Sequence, residues 1–183
     1  MARTGHGRYQ LGERIWRLGH WVPDRRQLRD VSRPFLVDLY EAIKAPVILA
    51  GLEGDQVFAI DRICGRAAQH VWPYHVGFPA LSHAAGITFL TWGDQTLPFK
   101  AAIKPTPALR RDLAHIKQRG YATSSAEGLA WVSAPLVDEE RRIRAAVCIA
   151  LPVGQGSAAA VSRVLVPMSR AMSDELARLR TAG

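Results

Sequence analysis

Cysteines and long apolar runs are scarce in this sequence, and their scarcity narrows the class of protein. Two cysteines, Cys64 and Cys148, among 183 residues are too few for a disulfide scaffold. The longest apolar runs, 47–52 and 145–151, are strand-sized and fall short of the ~20 residues that a membrane-spanning helix needs. Residues 1–8 carry charge with no apolar core after them, so they do not form a signal peptide. We therefore expect a cytoplasmic protein without a membrane partner.

Sequence motifs for catalysis and for cofactor or metal binding are missing as well. The chain contains no P-loop, GxGxxG, HExxH or GxSxG pattern. Ser82 and His83 are adjacent, but neighbours on a helix point about 100° apart and cannot form a nucleophile–base pair. The six histidines are not spaced like metal ligands. We expect neither an enzyme nor a protein that carries a cofactor or a metal.

The charge is basic and unevenly distributed. The net charge is +8, and arginines crowd the first 33 residues at positions 3, 8, 14, 17, 25, 26, 29 and 33. A basic end of this kind can lie close to nucleic-acid phosphates. It carries no helix-turn-helix, zinc-finger or stacking-aromatic pattern that would read bases. A solvated surface and a module that binds nucleic acid directly both remain open interpretations.

Apolar spacing predicts helices before the first strands. A short helix should run from Leu11 and end within 19–23, where glycine and proline cluster. Asp24 can cap a second helix, which Pro34 should kink or restart. A hairpin of 47–52 and 56–63 follows, and a third strand is expected over 69–74.

The second half of the chain alternates helices and strands. A helix of small residues is expected over 82–90, and a second helix is capped by Thr106 and stopped by Gly120. Strands 129–137 and 143–151 should form a hairpin before a long final helix that Ser157 caps. The order has no βαβ unit, which favours a single domain of the α+β class.

Seven short segments, in order along most of the chain, resemble motifs of the effector-binding half of IclR-type bacterial transcription regulators. Each is weak alone, but seven in order are hard to obtain by accident. The segments are Tyr9-Gln10-Leu11-Gly12, Arg14 with Leu18-Gly19, Ser32-Arg33-Pro34, Asp61-Arg62, the stretch from Asp112-Leu113-Ala114 to Arg119-Gly120-Tyr121-Ala122, Ser133-Ala134-Pro135-Leu136 and Leu165-Val166-Pro167-Met168.

The resemblance implies a GAF/PAS-like α+β domain, in which helices flank an antiparallel sheet of about six strands. It implies a pocket for a small organic effector, assembly as a homodimer or tetramer, and no cofactor. Residues 1–8 would be a basic linker toward a winged helix-turn-helix domain that this chain lacks, and residues 9–183 the effector-binding domain. DNA would be contacted only through that absent domain.

The same resemblance places the pocket around the start of the small-residue helix, where unpaired N–H groups can receive a carboxylate. Trp131 stands where the family has a Cys, and Cys148 and Ala150 replace the family's Ser-x-Ser. The loss of hydroxyl donors predicts a flat, apolar effector, such as an aromatic compound with one polar group. The expected effector-binding residues are Val71, Trp72, Tyr74, Leu81, Ser82, His83, Ala84, Ala85, Trp131, Cys148 and Ala150. In the alternative, Trp131 fills the pocket and only a dimerisation domain remains.

Overall fold

The structure is a computed structural model that describes residues 2–4, 8–10, 13–72, 77–94, 100, 103 and 106–181, with side chains from residue 25 to residue 179 of these ranges. Its helices are α1 (Glu13–Ile43), α2 (Ala84–Trp92), α3 (Pro107–Arg119) and α4 (Ala158–Thr181). Two single turns of 3-10 helix cover Arg66–Ala68 and Ala80–Ser82. None of the helices in these ranges is long and apolar enough to cross a membrane.

The strands form one small sheet and one large antiparallel sheet. β1 (Ala2–Thr4) and β2 (Arg8–Gln10) pair with each other, and the role of this segment as a linker stays a prediction. The large sheet has the order β5-β4-β3-β8-β7-β6, which confirms the predicted α+β class. Its strands are β3 (Val47–Glu53), β4 (Gln56–Ile63), β5 (Phe78–Pro79), β6 (Ala122–Ala126), β7 (Leu129–Val137) and β8 (Ile143–Pro152).

The two predicted hairpins are present. β3 pairs with β4, and Gly54 supplies the left-handed turn between them with φ at +61°. β7 pairs with β8 in a register that sets Trp131 opposite Ala150 and Ser133 opposite Cys148. Because side chains alternate along a strand, this register brings all four residues to the same face of the sheet.

The large sheet has a buried core on each face. In β8, Ala145, Val147 and Ile149 belong to the core that α1 and α4 cover. Ala146, Cys148 and Ala150 belong to the second core, which α2 covers. This period of two explains why 145–151 is apolar throughout, since a strand buried on both faces needs no polar side.

The expected break near the start of α1 is absent, and that prediction was wrong. Residues 13–43 form one continuous helix through 19–23 and through Pro34. A glycine or proline inside a helix costs about 1–3 kcal/mol and does not forbid it. From Leu28 onward the helix packs on the sheet through Leu36 and Leu39, and Pro34 faces solvent.

The prediction of a strand over 69–74 was also wrong for residues 69–72, which are the described part of that range. A 3-10 turn precedes it, 69–72 form turns and bends, and the short strand that pairs with β4 is β5. Trp72 has φ at 52°, a left-handed value that a strand does not contain. The Arg62 guanidinium holds this turn, because its Nη1 donates to the carbonyls of Gln69 at 2.6 Å, Trp72 at 3.2 Å and Val71 at 3.3 Å.

The predicted helix caps are confirmed by their hydrogen bonds. Thr106 Oγ1 accepts from the Leu109 N–H at 3.2 Å, and Gly120 ends α3 with φ at +87°. Ser157 Oγ accepts from the Ala160 N–H at 3.1 Å at the start of α4. Each cap is set within four residues of sequence, which is why the pattern alone predicts it.

Candidate functional site

Helix α2 lies close against the sheet because its first residues are small. Ala84 and Ala85 are fully buried. A Cβ on Gly86 would stand 1.9 Å from the Ala80 carbonyl oxygen, so only glycine fits at this position. The close packing brings His83, the N-cap residue of α2, into the second core.

His83 presents one unpaired polar atom inside that core. Its Nδ1 accepts the Ala85 N–H at 3.1 Å, so we assign the proton of the neutral ring to Nε2. His83 is 2% exposed, and Nε2 has no hydrogen-bond partner among the described residues. Burial lowers the pKa of His83 from 6.5 to about 4. At neutral pH the side chain is therefore an uncharged donor that finds no acceptor in the described part of the chain.

Three aromatic rings surround this imidazole, and we call Trp72, Phe78, His83 and Trp131 the aromatic cluster. The His83 ring centroid lies 4.4 Å from that of Trp72, 4.6 Å from that of Trp131 and 5.6 Å from that of Phe78. Trp72 also meets Trp131 edge-on at 5.6 Å. These are contact distances for aromatic pairs, so the rings themselves fill the space between them.

A small polar network lies beside the aromatic cluster. Thr88 Oγ1 and Ser133 Oγ are hydrogen-bonded 2.8 Å apart, and the Cys148 thiol donates to Ser133 Oγ at 3.4 Å. Burial raises the pKa of Cys148 to about 12, against the smaller lowering effect of the Ser133 hydrogen bond. The thiol therefore stays protonated and is poorly suited to act as a nucleophile or a metal ligand.

The first backbone N–H groups of α2 are not available to a ligand. The Ala84 N–H donates to Ser124 Oγ at 2.9 Å, and the Ala85 N–H donates to His83. The expectation of unpaired N–H groups here was wrong for these two, because side chains of the protein cap them. The His83 Nε2–H, by contrast, has no hydrogen-bond partner among the described residues.

Most of the expected site residues come together. Val71, Trp72, Ala84, Ala85, Trp131, Cys148 and Ala150 belong to one buried group on the α2 face of the sheet, and the buried His83 ring contacts two of its members, Trp72 and Trp131. Leu81 and Ser82 do not join it, because Leu81 is 54% exposed and the exposed Ser82 hydroxyl donates to the Pro79 carbonyl at 2.9 Å. Tyr74 lies outside the described residues.

Three polar residues of the site were not among those expected: Thr88, Ser124 and Ser133. Two of them have a signal in the sequence. Thr88 follows Ala84 by four residues on one helix face, and Ser133 follows Trp131 by two on one strand face. Ser124 comes from the neighbouring β6 and has no such local signal. In the part of the chain that the structure describes, no group of three or more His, Cys, Asp or Glu side chains is placed to hold a metal ion.

An antiparallel sheet with helices on both faces, and a buried aromatic cluster beneath a short capped helix, define a GAF/PAS-like α+β domain. Residues 20–178 match the family described as bacterial transcriptional regulator IclR C-terminal, and the chain belongs to that family. This confirms the family that the sequence motifs predicted.

Known relatives and structures agree with the assignment. The chain is 26% identical over 161 residues to the HTH-type transcriptional regulator XynR of Escherichia coli, covering 79% of this chain and 64% of that protein. The crystal structure of the Thermotoga maritima IclR matches with a TM-score of 0.73 and 23% identity, covering 95% of this chain and 78% of the other. A Microbacterium hydrocarbonoxydans IclR homologue complexed with 4-hydroxybenzoate has the same TM-score and coverage, at 21% identity. At these identities the two structures establish the fold alone.

Proposed function

We propose that this domain binds a small organic effector at the aromatic cluster and acts as the sensing part of a DNA-binding transcription regulator. The observation that carries the proposal is the His83 Nε2–H, which is buried without an acceptor in the described part of the chain. A buried donor without an acceptor costs about 1–3 kcal/mol. An effector oxygen placed against Nε2 would recover that free energy.

The surroundings of Nε2 indicate the chemistry of the effector. Phe78 and Trp131 offer flat apolar contacts, and the neutral imidazole offers one hydrogen bond rather than a charge. A planar, largely apolar molecule with one acceptor group fits both features. The 4-hydroxybenzoate in the Microbacterium hydrocarbonoxydans homologue is a molecule of this kind and supports the proposal.

Effector entry requires one ring to move, because the four rings of the aromatic cluster are in contact. Trp72 is the best candidate, since its backbone is left-handed with φ at 52°. For a bulky residue this conformation costs about 1–3 kcal/mol. A change in the Trp72 backbone that moves the indole aside would release that strain and leave the place of the indole to the effector.

A second candidate function is an oligomerisation scaffold whose pocket is filled by its own side chains. The packing of Trp72 on Trp131 and His83 favours this alternative, because aromatic side chains commonly fill protein cores. A sensor and a scaffold differ in one measurable respect: only a sensor gains stability in proportion to the concentration of a ligand.

The test is calorimetric titration of the protein with 4-hydroxybenzoate, benzoate and pyruvate, the last as a short keto acid. We expect the aromatic acids to bind more tightly than pyruvate. The variant His83→Asn keeps an oxygen that can cap α2 but removes Nε2, and should weaken aromatic binding about tenfold. Leu81→Ala, two residues away and exposed, is the matched control and should bind as the parent protein does.

Two results would contradict the sensor proposal. Tighter binding of pyruvate than of the aromatic acids would place the effector in another chemical class. An absence of heat and of any ligand-dependent rise in melting temperature, for all three compounds, would favour the scaffold.

We further propose how the domain serves a complete regulator. The chain spans 64% of the length of the E. coli relative, so we assign DNA binding to a part of the regulator outside these residues. We propose assembly as a homodimer or tetramer, in the cytoplasm where a regulator meets its operator, with no catalytic role. Effector binding would shift the arrangement of the subunits. Light scattering with and without 4-hydroxybenzoate measures the assembly and any change in it.

A further inference from the structure

A groove lies at the opposite end of α2 from His83. Its volume is about 460 Å³, within the 300–1,000 Å³ typical of small-molecule sites. Trp92, the last residue of α2, forms one wall, the end of α3 a second, and the middle of α4 a third. Pro135 and Val137, near the end of β7, also line it.

The strand edge beside this groove is already satisfied by the protein. The paired residues of β6 reach along β7 only from Leu129 to Ser133. Further along β7, the Ser169 hydroxyl donates to the Pro135 carbonyl, and Ser173 Oγ accepts the Val137 N–H at 3.1 Å. An added peptide strand would find these two backbone groups occupied, so recognition in the groove depends on side chains.

The side chains around the groove carry an excess of positive charge. Lys117, Arg141 and Arg170 line it together with the carboxylate of Asp174, so three cations and one anion give a net charge of +2. These three cations, which we call the rim cations, form no ion pair within the described residues. By contrast, Arg142 and Arg144 beside Arg141 both pair with Asp138.

The electrostatic influence of the rim cations extends to a neighbouring lysine. Lys100 donates to the Gly93 carbonyl at 2.6 Å, directly after the end of α2. Its pKa is lowered first by burial; the charge of Asp94 raises it, and the charge of Lys117 has a smaller lowering effect. Lys117 therefore repels Lys100, and an anion bound beside Lys117 would reduce this repulsion.

We propose that this groove is a second ligand site, distinct from the aromatic cluster, for a small planar organic dianion. The rim cations bind the two anionic groups, and the Trp92 indole packs against the flat body of the molecule. Guanidinium groups suit carboxylates because their parallel N–H groups match the two oxygens. The proposal does not depend on effector binding at the aromatic cluster.

The test uses benzene-1,3-dicarboxylate as the probe and the corresponding neutral diamide as its uncharged counterpart. Indole N–H signals of the ¹⁵N-labelled protein report the site, since the chain has five tryptophans and Trp92→Phe identifies one signal. We expect the dianion to shift the Trp92 signal saturably, and the diamide to leave it unchanged. Lys117→Ala and Arg170→Ala should each weaken binding about fivefold or more.

Arg163→Ala provides the matched control. Arg163 is an exposed arginine on the same helix, seven residues before Arg170, and does not line the groove. Substitutions at such exposed positions usually change stability by about 0.5 kcal/mol or less, so these variants should remain folded. Melting temperatures of the parent protein and of every variant verify this before any titration.

Three outcomes would overturn the proposal. The first is a Trp92 signal that does not move with the dianion. The second is equal weakening by Arg163→Ala and Arg170→Ala, which would show unspecific attraction to a basic protein. The third is a shift of the Trp131 signal that His83→Asn abolishes and Arg170→Ala does not, which would place the dianion at the aromatic cluster.

Discussion

His83 connects the local structure of α2 with the chemistry of the candidate site. One ring nitrogen caps the helix, and this contact orients the other nitrogen into the aromatic cluster. The same burial that removes water from Nε2 also removes the solvation that a charged imidazole would need. A single residue thereby fixes a helix start, presents a donor and makes stability depend on pH.

The first prediction concerns that pH dependence. The folded pKa of His83 is about 4, against 6.5 for the ordinary side chain. Between these values the unfolded chain binds a proton that the folded chain does not, so stability falls as the pH is lowered. We expect a loss of about 2 kcal/mol from this residue between pH 7.5 and pH 5. Urea unfolding at several pH values measures it.

Two variants separate His83 from the other titrating groups. His83→Asn removes the titrating ring and should flatten the pH dependence in this interval. His115→Asn, at an exposed position of α3, is the matched control for the loss of a histidine. If His83→Asn retained the full slope, the assignment of a buried neutral imidazole would be wrong.

At the residue scale, the sequence predicted which residues lie together better than it predicted which groups act as hydrogen-bond donors. Trp72, His83 and Trp131 were expected together and do lie together. The expected donors at the helix start were misassigned, since capping by Ser124 depends on β6, forty residues away in the chain. A pattern of neighbouring residues contains no information about such a partner.

At the scale of elements, the turn after β4 shows that one side chain can provide the hydrogen bonds that a neighbouring strand would otherwise provide. Residues 69–72 contain β-forming residues, yet their carbonyls turn toward Arg62 rather than toward a neighbouring strand. All three contacts come from Nη1, whose two N–H groups must be shared among the three carbonyls. The turn then presents Trp72 to the aromatic cluster.

The second prediction tests this function of Arg62. Arg62→Gln removes a charged donor to three carbonyls and should lower the free energy of unfolding by about 1–2 kcal/mol. It should also loosen Trp72, which would increase the quenching of tryptophan fluorescence by acrylamide. Arg66→Gln is the matched control, because Arg66 is an exposed arginine of the 3-10 turn between β4 and residues 69–72. Equal quenching in the two variants would show that Arg62 does not hold Trp72.

Elements set by local rules were predicted well, and those set by distant contacts were not. The two hairpins and the caps of α3 and α4 depend on residues close in sequence. The continuity of α1 through Pro34 depends on its packing against the sheet and α4. Local breaker signals overestimate the cost of a proline when tertiary packing holds the helix on both sides.

At the scale of the whole molecule, the sheet separates two cores with different contents. The core under α1 and α4 is built from aliphatic side chains, whereas the core under α2 contains tryptophans, a histidine and a thiol. The period of two in β7 and β8 makes this division predictable from the sequence. The filling of the α2 core by rings was foreseen only as an alternative, because ring positions depend on the turn that holds Trp72.

The third prediction concerns the link between α1 and the sheet. Arg33 Nη1 donates to Asp61 Oδ2 at 2.7 Å, and the Asp61 side chain is 3% exposed. The backbone N–H of Arg62 donates to the other oxygen of this carboxylate, Oδ1, at 2.8 Å. Arg33→Ala would remove a positive charge that compensates the cost of burying the Asp61 carboxylate. Because Arg33 is 55% exposed, we expect the free energy of unfolding to fall by about 2 kcal/mol, less than the 3–5 kcal/mol typical of fully buried pairs.

A double-mutant cycle decides whether this ion pair itself carries the effect. Arg33→Ala, Asp61→Asn and the double variant are unfolded in urea at low and high salt, with Arg29→Ala as the exposed control on the same helix. We expect a coupling energy of about 1–2 kcal/mol that changes little with salt, since the carboxylate is shielded from solvent. A coupling near zero would mean that α1 is held to the sheet by apolar packing alone. In that case, the Arg33–Asp61 contact could not transmit a change in the α2 core to α1.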